Sequence, residues 1–166
     1  MKNILWLMGL IVLMLVAAGT YTYLKPAPAN EAVAPATQTV SIYLARSGET
    51  DIELVAVERE VVFSDVAEEL MRSALSVLVQ GPSADEVEAG LSSPFNEGTV
   101  VNSVVMNEGV VTADFNEQFD FQMGGSARVM AMRQSVEQTL RQFLSDESVT
   151  FRLTINHGER EAVLEP

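Results

Sequence analysis

Residues 78–99 read LVQGPSADEVEAGLSSPFNEGT. A helical pattern stops at Gly81-Pro82, a short polar turn runs to Gly90, and a further stop comes at Pro94. So punctuated a connection is either a loop that holds chemistry or a crossover that moves the chain between packed elements. Which of the two it is decides whether an enzyme should be sought in this chain.

Upstream, Asp65-Val66-Ala67-Glu68 has the spacing of a capping box, with an acidic N-cap and a glutamate three residues on. Ala67, Leu70, Met71, Ala74, Leu75, Val77 and Leu78 then follow the 3.6-residue period of one apolar face, with Glu68, Glu69, Arg72, Ser73 and Ser76 off it. Gly81 supplies a left-handed stop and Pro82 forbids continuation. Downstream, Thr99 to Met106 and Gly109 to Phe115 read as strands joined at Asn107-Glu108, with Gly109 in reach of the tight turn, which predicts a hairpin.

Working outward, Val40 to Ala45 and Ile52 to Val57 are short β-rich runs separated by the turn residues Ser47-Gly48-Glu49-Thr50, and Val61-Val62-Phe63 reads as a third short strand. Gln122 to Ser126 is a loop whose Ser126 caps a second helix running to about Leu144. Val129, Met132, Val136, Leu140 and Phe143 form its apolar stripe, while Arg128, Arg133, Glu137, Gln138 and Arg141 face water. Val149 to Ile155 alternates as a half-buried strand, Asn156-His157-Gly158 turns, and Glu161 to Leu164 is a last short run. The order β-β-α-β-β-α-β-β gives an α+β domain, two helices packed on one face of a mixed or antiparallel sheet.

Ahead of this body, Ile4 to Leu24 carries no charge and, at 1.5 Å per residue, would span about 30 Å as a helix, the thickness of a bilayer core. Residues 1–24 are therefore read as a transmembrane signal anchor, with Trp6, Tyr21 and Tyr23 suited to interfaces and Lys2 favouring a cytoplasmic N-terminus. Val16-Ala17-Ala18 and Ala27-Pro28-Ala29 resemble peptidase sites, so a cleaved signal peptide is the alternative. Residues 25–38, KPAPANEAVAPATQ, read as a Pro- and Ala-rich tether, and 39–166 as the globular domain, outside the membrane.

The chain of 166 residues has no cysteine, which excludes disulfides, thiolate metal sites, a cysteine nucleophile and a lipidated anchor. Of its 10 Lys plus Arg and 23 Asp plus Glu, setting aside Lys2, Lys25 and Glu31 leaves 8 Arg against 22 acids from residue 39 onward, a net charge of −14. Such a body repels nucleic acid and anionic headgroups.

The stations VSIYLA, LSVLVQGPSADEVEAGLSSPFNEGTVVNSV, MNEGVVTADFNEQF, RQSVEQTLRQF and SVTFRLTINHG, across residues 39 to 159, resemble the GerMN (Germane) domain of bacterial sporulation and germination proteins. The most specific piece is the GP after the first helix, then P-x-x-x-G-T and hairpin strands ending in D-F. The resemblance implies that the punctuated stretch is a structural crossover. It also implies an extracytoplasmic, tethered domain acting in sporulation, germination or other envelope processes. With an export segment, a tether and no catalytic constellation, the expected partners are an envelope protein or the cell wall, with a homo-oligomer as a further expectation. Relatives include proteins with two copies or an appended Ig-like module; this chain has one copy and no lipoprotein cysteine. The resemblance carries over no catalytic, cofactor or metal residue, so the expectation is a non-enzyme without a cofactor.

The competing chemistry is thin. His157 is the only histidine and sits in a turn, without the second histidine or cysteine of a metal site or the G-x-S-x-G elbow of a hydrolase triad. Asp114, Glu117 and Asp120 form an acidic cluster that offers calcium ligands or a carboxylate pair to a glycan; the alternative function is a small envelope enzyme acting on peptidoglycan through it. The blander reading of that cluster is a solvated strand end. Gly124-Gly125-Ser126 before a helix is a weak anion-cradle signal. Met71, Met106, Met123, Met130 and Met132 read as core filling rather than a soft metal site.

Overall fold

The computed structural model describes residues 35–48, 52–122 and 124–163. The expected membrane segment, most of the tether and Met123 lie outside them. Among the described residues no helix is long and apolar enough to cross a membrane.

The chain forms β1 (Thr37–Ser47), β2 (Ile52–Val62), α1 (Ala67–Gln80), α2 (Ala84–Glu88), β3 (Leu91–Ser92), β4 (Val101–Asn107), β5 (Val110–Phe115), a 3-10 turn (Glu117–Phe119), α3 (Ser126–Arg141), β6 (Thr150–Ile155) and β7 (Arg160–Glu161). The fold is α+β, but its strands divide into two sheets instead of the expected one, in the orders β2-β1-β3 and β4-β5-β6-β7. Every residue of β1 pairs with β2 in an unbroken antiparallel register from Thr37↔Val62 to Ser47↔Ile52. The separate strand expected at Val61–Phe63 is therefore the end of β2. Glu58-Arg59-Glu60 interrupts the apolar pattern but not the ladder, because strand pairing is a backbone property.

β3 adds only two residues to β1, at Ala45↔Ser92 and Arg46↔Leu91. Pro94 follows closely and has no N–H to extend the ladder, so the chain leaves this sheet and begins the second with β4. There β4 and β5 form the expected hairpin, closed by Glu108 and Gly109 with φ of 48° and 78°, both left-handed as a tight two-residue turn requires. β5 and β6 run parallel from Val110↔Thr150 to Phe115↔Ile155, with α3 in the crossover, and β7 returns antiparallel. The second sheet is thus mixed.

α1 packs on β1, β2 and β4 and so touches both sheets; α3 packs on β1, β2 and α1. One core joins Ile42 and Leu44 of the first sheet, Leu75 and Leu78 of α1, Met132, Val136 and Leu140 of α3, and Val111, Phe115 and Ile155 of the second sheet. The methionines split: Met71 and Met132 are fully buried, whereas Met106 and Met130 are exposed, against the expectation of core filling.

Both predicted helix caps are corrected. α1 begins after Val66, which makes no side-chain cap; Ser64 Oγ instead accepts from Val66 N–H at 3.2 Å and donates to Glu69 Oε2 at 2.8 Å. α3 is capped by Gly125 with φ 88°, and Ser126 is its first helical residue. The helix also ends at Arg141 rather than Leu144. A complete capping box does form, at Ser83 and Glu86 in the crossover: Glu86 Oε2 accepts from Ser83 N–H at 2.7 Å while Ser83 Oγ accepts from Glu86 N–H at 3.4 Å.

Candidate functional site

Two places merit a chemical reading, the crossover and the acidic cluster. In the crossover, Gly81 has φ 81° and ψ −166°, a region open essentially to glycine, and a Cβ there would lie 3.2 Å from Ser93 Cβ. This is a more demanding stop than the simple left-handed turn expected. Glu86 receives both guanidinium ends of Arg59, at 2.8 and 2.6 Å, which ties α2 to β2. That hydrogen-bonded arginine is the main reason the Glu86 carboxyl falls from its ordinary value of 4.5 to about 2.

Phe95 packs against Phe119, which stacks on Phe115 with centroids 4.0 Å apart, and so the crossover is anchored at the end of β5. Asn96 Nδ2 donates to Gln118 O at 2.7 Å and Phe121 O at 2.8 Å. Arg128, expected to face water, is half-buried and donates to Pro94 O and to Asn96 Oδ1, each at 2.8 Å. A cleft of about 580 Å³ lies where the crossover leaves α1 and joins β4, between Val79, Phe95 and Val100. Of its polar lining groups, Ser76 Oγ donates to Arg72 O, Thr99 Oγ1 donates to Asn96 O and Ser93 Oγ accepts from Phe95 N–H. Those hydroxyls hold the chain's own backbone.

The acidic cluster is occupied in the same sense. Asp114 is 3% exposed, which corrects the reading of a solvated strand end. Its carboxylate accepts from Thr154 Oγ1 at 2.7 Å and from Asn102 Nδ2, His157 N–H and Gly158 N–H at 2.8 Å each. Burial alone pushes this carboxyl up, but the four donors together outweigh burial and hold it below the ordinary value. Asn156, His157 and Gly158 have φ of 51°, 62° and 82°, and this run of left-handed residues aims two successive N–H groups at Asp114. His157 thus contributes its backbone, while its imidazole is exposed.

Glu117 Oε1 accepts from Asn156 Nδ2 at 2.9 Å. Asp120, its side chain only 4% exposed, binds Arg160 in a two-pronged ion pair, one prong at 2.8 Å, and accepts from Val163 N–H at 3.1 Å. The Arg160 hydrogen bond is the largest influence on Asp120 and lowers its carboxyl. All three carboxylates therefore grip the segment from Thr154 to Val163. They form a docking strip for the β6–β7 hairpin; Glu117 and Asp120 border one open pocket of about 360 Å³ together with Arg160 and Val163, and Asp114 is not among its lining residues. Among the described residues no group of three or more His, Cys, Asp or Glu is arranged to hold a metal ion.

Sequence reasoning named these acids but missed what engages them, since Thr154, Arg160 and the turn amides lie about 40 residues away in the chain. Arg59–Glu86 and Asn96–Arg128 were missed for the same reason. The one local signal was the S-x-x-E spacing at Ser83, which the D-x-x-E at Asp65 matched equally well.

Comparison with known proteins gives a consistent family. A family model named Germane, described as sporulation and spore germination, matches residues 41–154. The tandem GerMN domains of the sporulation protein GerM from Bacillus subtilis superpose with a TM-score of 0.57 at 23% identity, over 81% of this chain and 44% of that one. The first GerMN domain of the same protein gives 0.54 at 25% identity, over 75% of this chain and 85% of that one. This chain therefore spans less than half of the tandem structure. A search of curated proteins found no match.

Proposed function

The chain belongs to the Germane family, described as sporulation and spore germination, and we propose that it is a non-enzymatic, membrane-tethered extracytoplasmic domain acting in the cell envelope by association with a protein or the cell wall. The observation that carries this reading is the state of the acidic cluster: Asp114 is buried with four donors on its carboxylate, Asp120 is held by Arg160, and Glu117 gives one oxygen to Asn156. A carboxylate that acts as nucleophile or general acid must face the substrate, and Asp114 faces four internal donors instead. The peptidoglycan-enzyme alternative loses its best candidate.

Tethering is supported by the uncharged run from Ile4 to Leu24 and the Pro/Ala-rich stretch after it. The acidic body suits a soluble domain held off an anionic surface. The experiment is protease accessibility on intact cells with any outer barrier opened. Digestion of the body, with residues 4–24 left in the membrane fraction, is expected; a body protected from protease would overturn the extracytoplasmic assignment. Recovery of a mature N-terminus near Gly19 or Asn30 would replace the anchor by a cleaved signal peptide.

A further inference from the structure

β2 ends its sheet. β1 lies on one side of it and, among the described residues, no strand lies on the other. Which backbone groups face the open side follows from the hydrogen bonds of β1. Ser41 N–H donates to Gln142 Oε1 at 2.9 Å and Ser41 O accepts from Gln142 Nε2 at 2.7 Å, so both its backbone groups point away from β2. Ser41 stands opposite Glu58, and that pair is therefore a non-hydrogen-bonded one. The unbroken register then turns the N–H and C=O of Leu54, Ala56 and Glu58 outward, while Val55 and Val57 bond to β1 and pack on the core. On β1 the far edge is closed by β3 and by the Gln142 amide, which stands in for a strand. Among the described residues, the one outward group of β2 that is engaged is Glu58 O, by Arg59 of the same strand at 3.1 Å.

Beside the Ile52 end of β2 runs a groove of about 400 Å³ floored by the first half of α3, with Ala127, Met130 and Gln134 in its wall. Met130 is 58% exposed there. Along the same strand Glu58 and Glu60 are exposed on the face opposite Val55 and Val57, Glu60 accepting from Thr39 Oγ1 at 2.6 Å; Glu53 lies 4.0 Å from Arg46 of β1, and the strand's own cation, Arg59, is already spent on Glu86. A long edge strand without proline or bulge is a template for another extended chain. Backbone bonds give such a chain affinity, and pockets for alternate side chains give it specificity.

We propose that the Ile52–Glu58 part of β2 is the protein-binding edge of this domain and that it receives an extended segment of a partner protein with alternating apolar and basic residues. The apolar side chains enter the groove against Met130 and the basic ones, on the opposite face, meet Glu58 and Glu60. A second copy of this chain fits worse, because two acidic bodies would bring like carboxylates together. The inference rests on the association reading above, but the protease result is independent of β2. Failure of the test below would remove the edge and leave the envelope assignment standing.

The test uses the purified full chain in a non-ionic detergent and, as probe, a short synthetic peptide alternating valine and lysine, with its fully N-methylated counterpart as control. Binding is followed by fluorescence anisotropy and by residue-resolved amide exchange. The plain peptide should slow exchange at Leu54, Ala56 and Glu58, and both N-methylation and Met130→Glu should weaken binding at least about tenfold. Met130→Glu sits at an exposed position and adds a negative charge, so loss of a cationic peptide there cannot come from lost attraction or lost fold. Ala56→Pro, which deletes one outward N–H, should weaken binding likewise. Equal affinity for the N-methylated peptide would reduce the interaction to bulk charge and overturn the proposal. So would protection away from β2, or protection of Leu54 and Ala56 that grows with protein concentration and needs no peptide, the mark of a second copy.

Discussion

Asp114 accepts four hydrogen bonds while nearly removed from water, so its replacement is costly in a way that a surface acid's is not. In Asp114→Asn an NH₂ group must face at least one of these donors, and a buried charge-assisted set is lost. The expected destabilisation is about 2 to 3 kcal/mol, read from chemical denaturation of the purified chain. His157→Ala, which spares the backbone N–H that Asp114 uses, should change stability by less than about 1 kcal/mol. Glu86 makes the matching prediction in pH. Its folded carboxyl titrates at about 2 against an ordinary 4.5, so the stabilisation it gives is complete above the ordinary value and is lost as pH falls from there toward 2. The denaturation midpoint of the natural chain should drop across that window. That of Glu86→Gln should start lower at neutral pH and converge with it at the acid end; two curves that stay parallel would mean that the Arg59 pair contributes nothing.

The stop at the end of α1 is set by one residue whose backbone no other side chain adopts comfortably. Gly81→Val adds a strained φ and a contact with Ser93, and should cost about 1 to 3 kcal/mol or more in thermal or chemical melts. Leu140→Ala removes a fully buried side chain of α3 and should cost about 2 to 5 kcal/mol. These elements were legible in the sequence because their signals are local: the apolar period of Leu70, Met71, Ala74, Leu75 and Leu78, the glycine after it, and the hairpin turn, expected at Asn107-Glu108 and found one residue on at Glu108-Gly109. What was not legible depended on pairing at a distance. β2 read as two pieces because Glu58-Arg59-Glu60 looks like a break, although β1 pairs with every residue of it. The division into two sheets turns on β3 stopping after two residues, a matter of which edge the crossover reaches. The parallel β5–β6 pair did leave a trace, since a strand, a helix and a strand in succession is the usual crossover unit.

For the whole molecule, the punctuated stretch that raised the question of chemistry is a crossover between two sheets, fixed at four stations: Gly81, Glu86, Phe95 and Asn96. The acidic cluster is likewise a fastening, drawing the β6–β7 hairpin onto the end of β5. The chain from Pro35 onward is one compact unit, and in the function proposed above it acts through its surfaces. Its activity in the cell should then follow how much folded protein is present. The most direct test is complementation of a strain lacking the protein by Asp114→Asn, with the phenotype normalised to the amount of folded protein. Reduced abundance and unchanged activity per molecule are expected; normal abundance and normal unfolding with activity abolished would contradict the structural role and return Asp114 to a catalytic one.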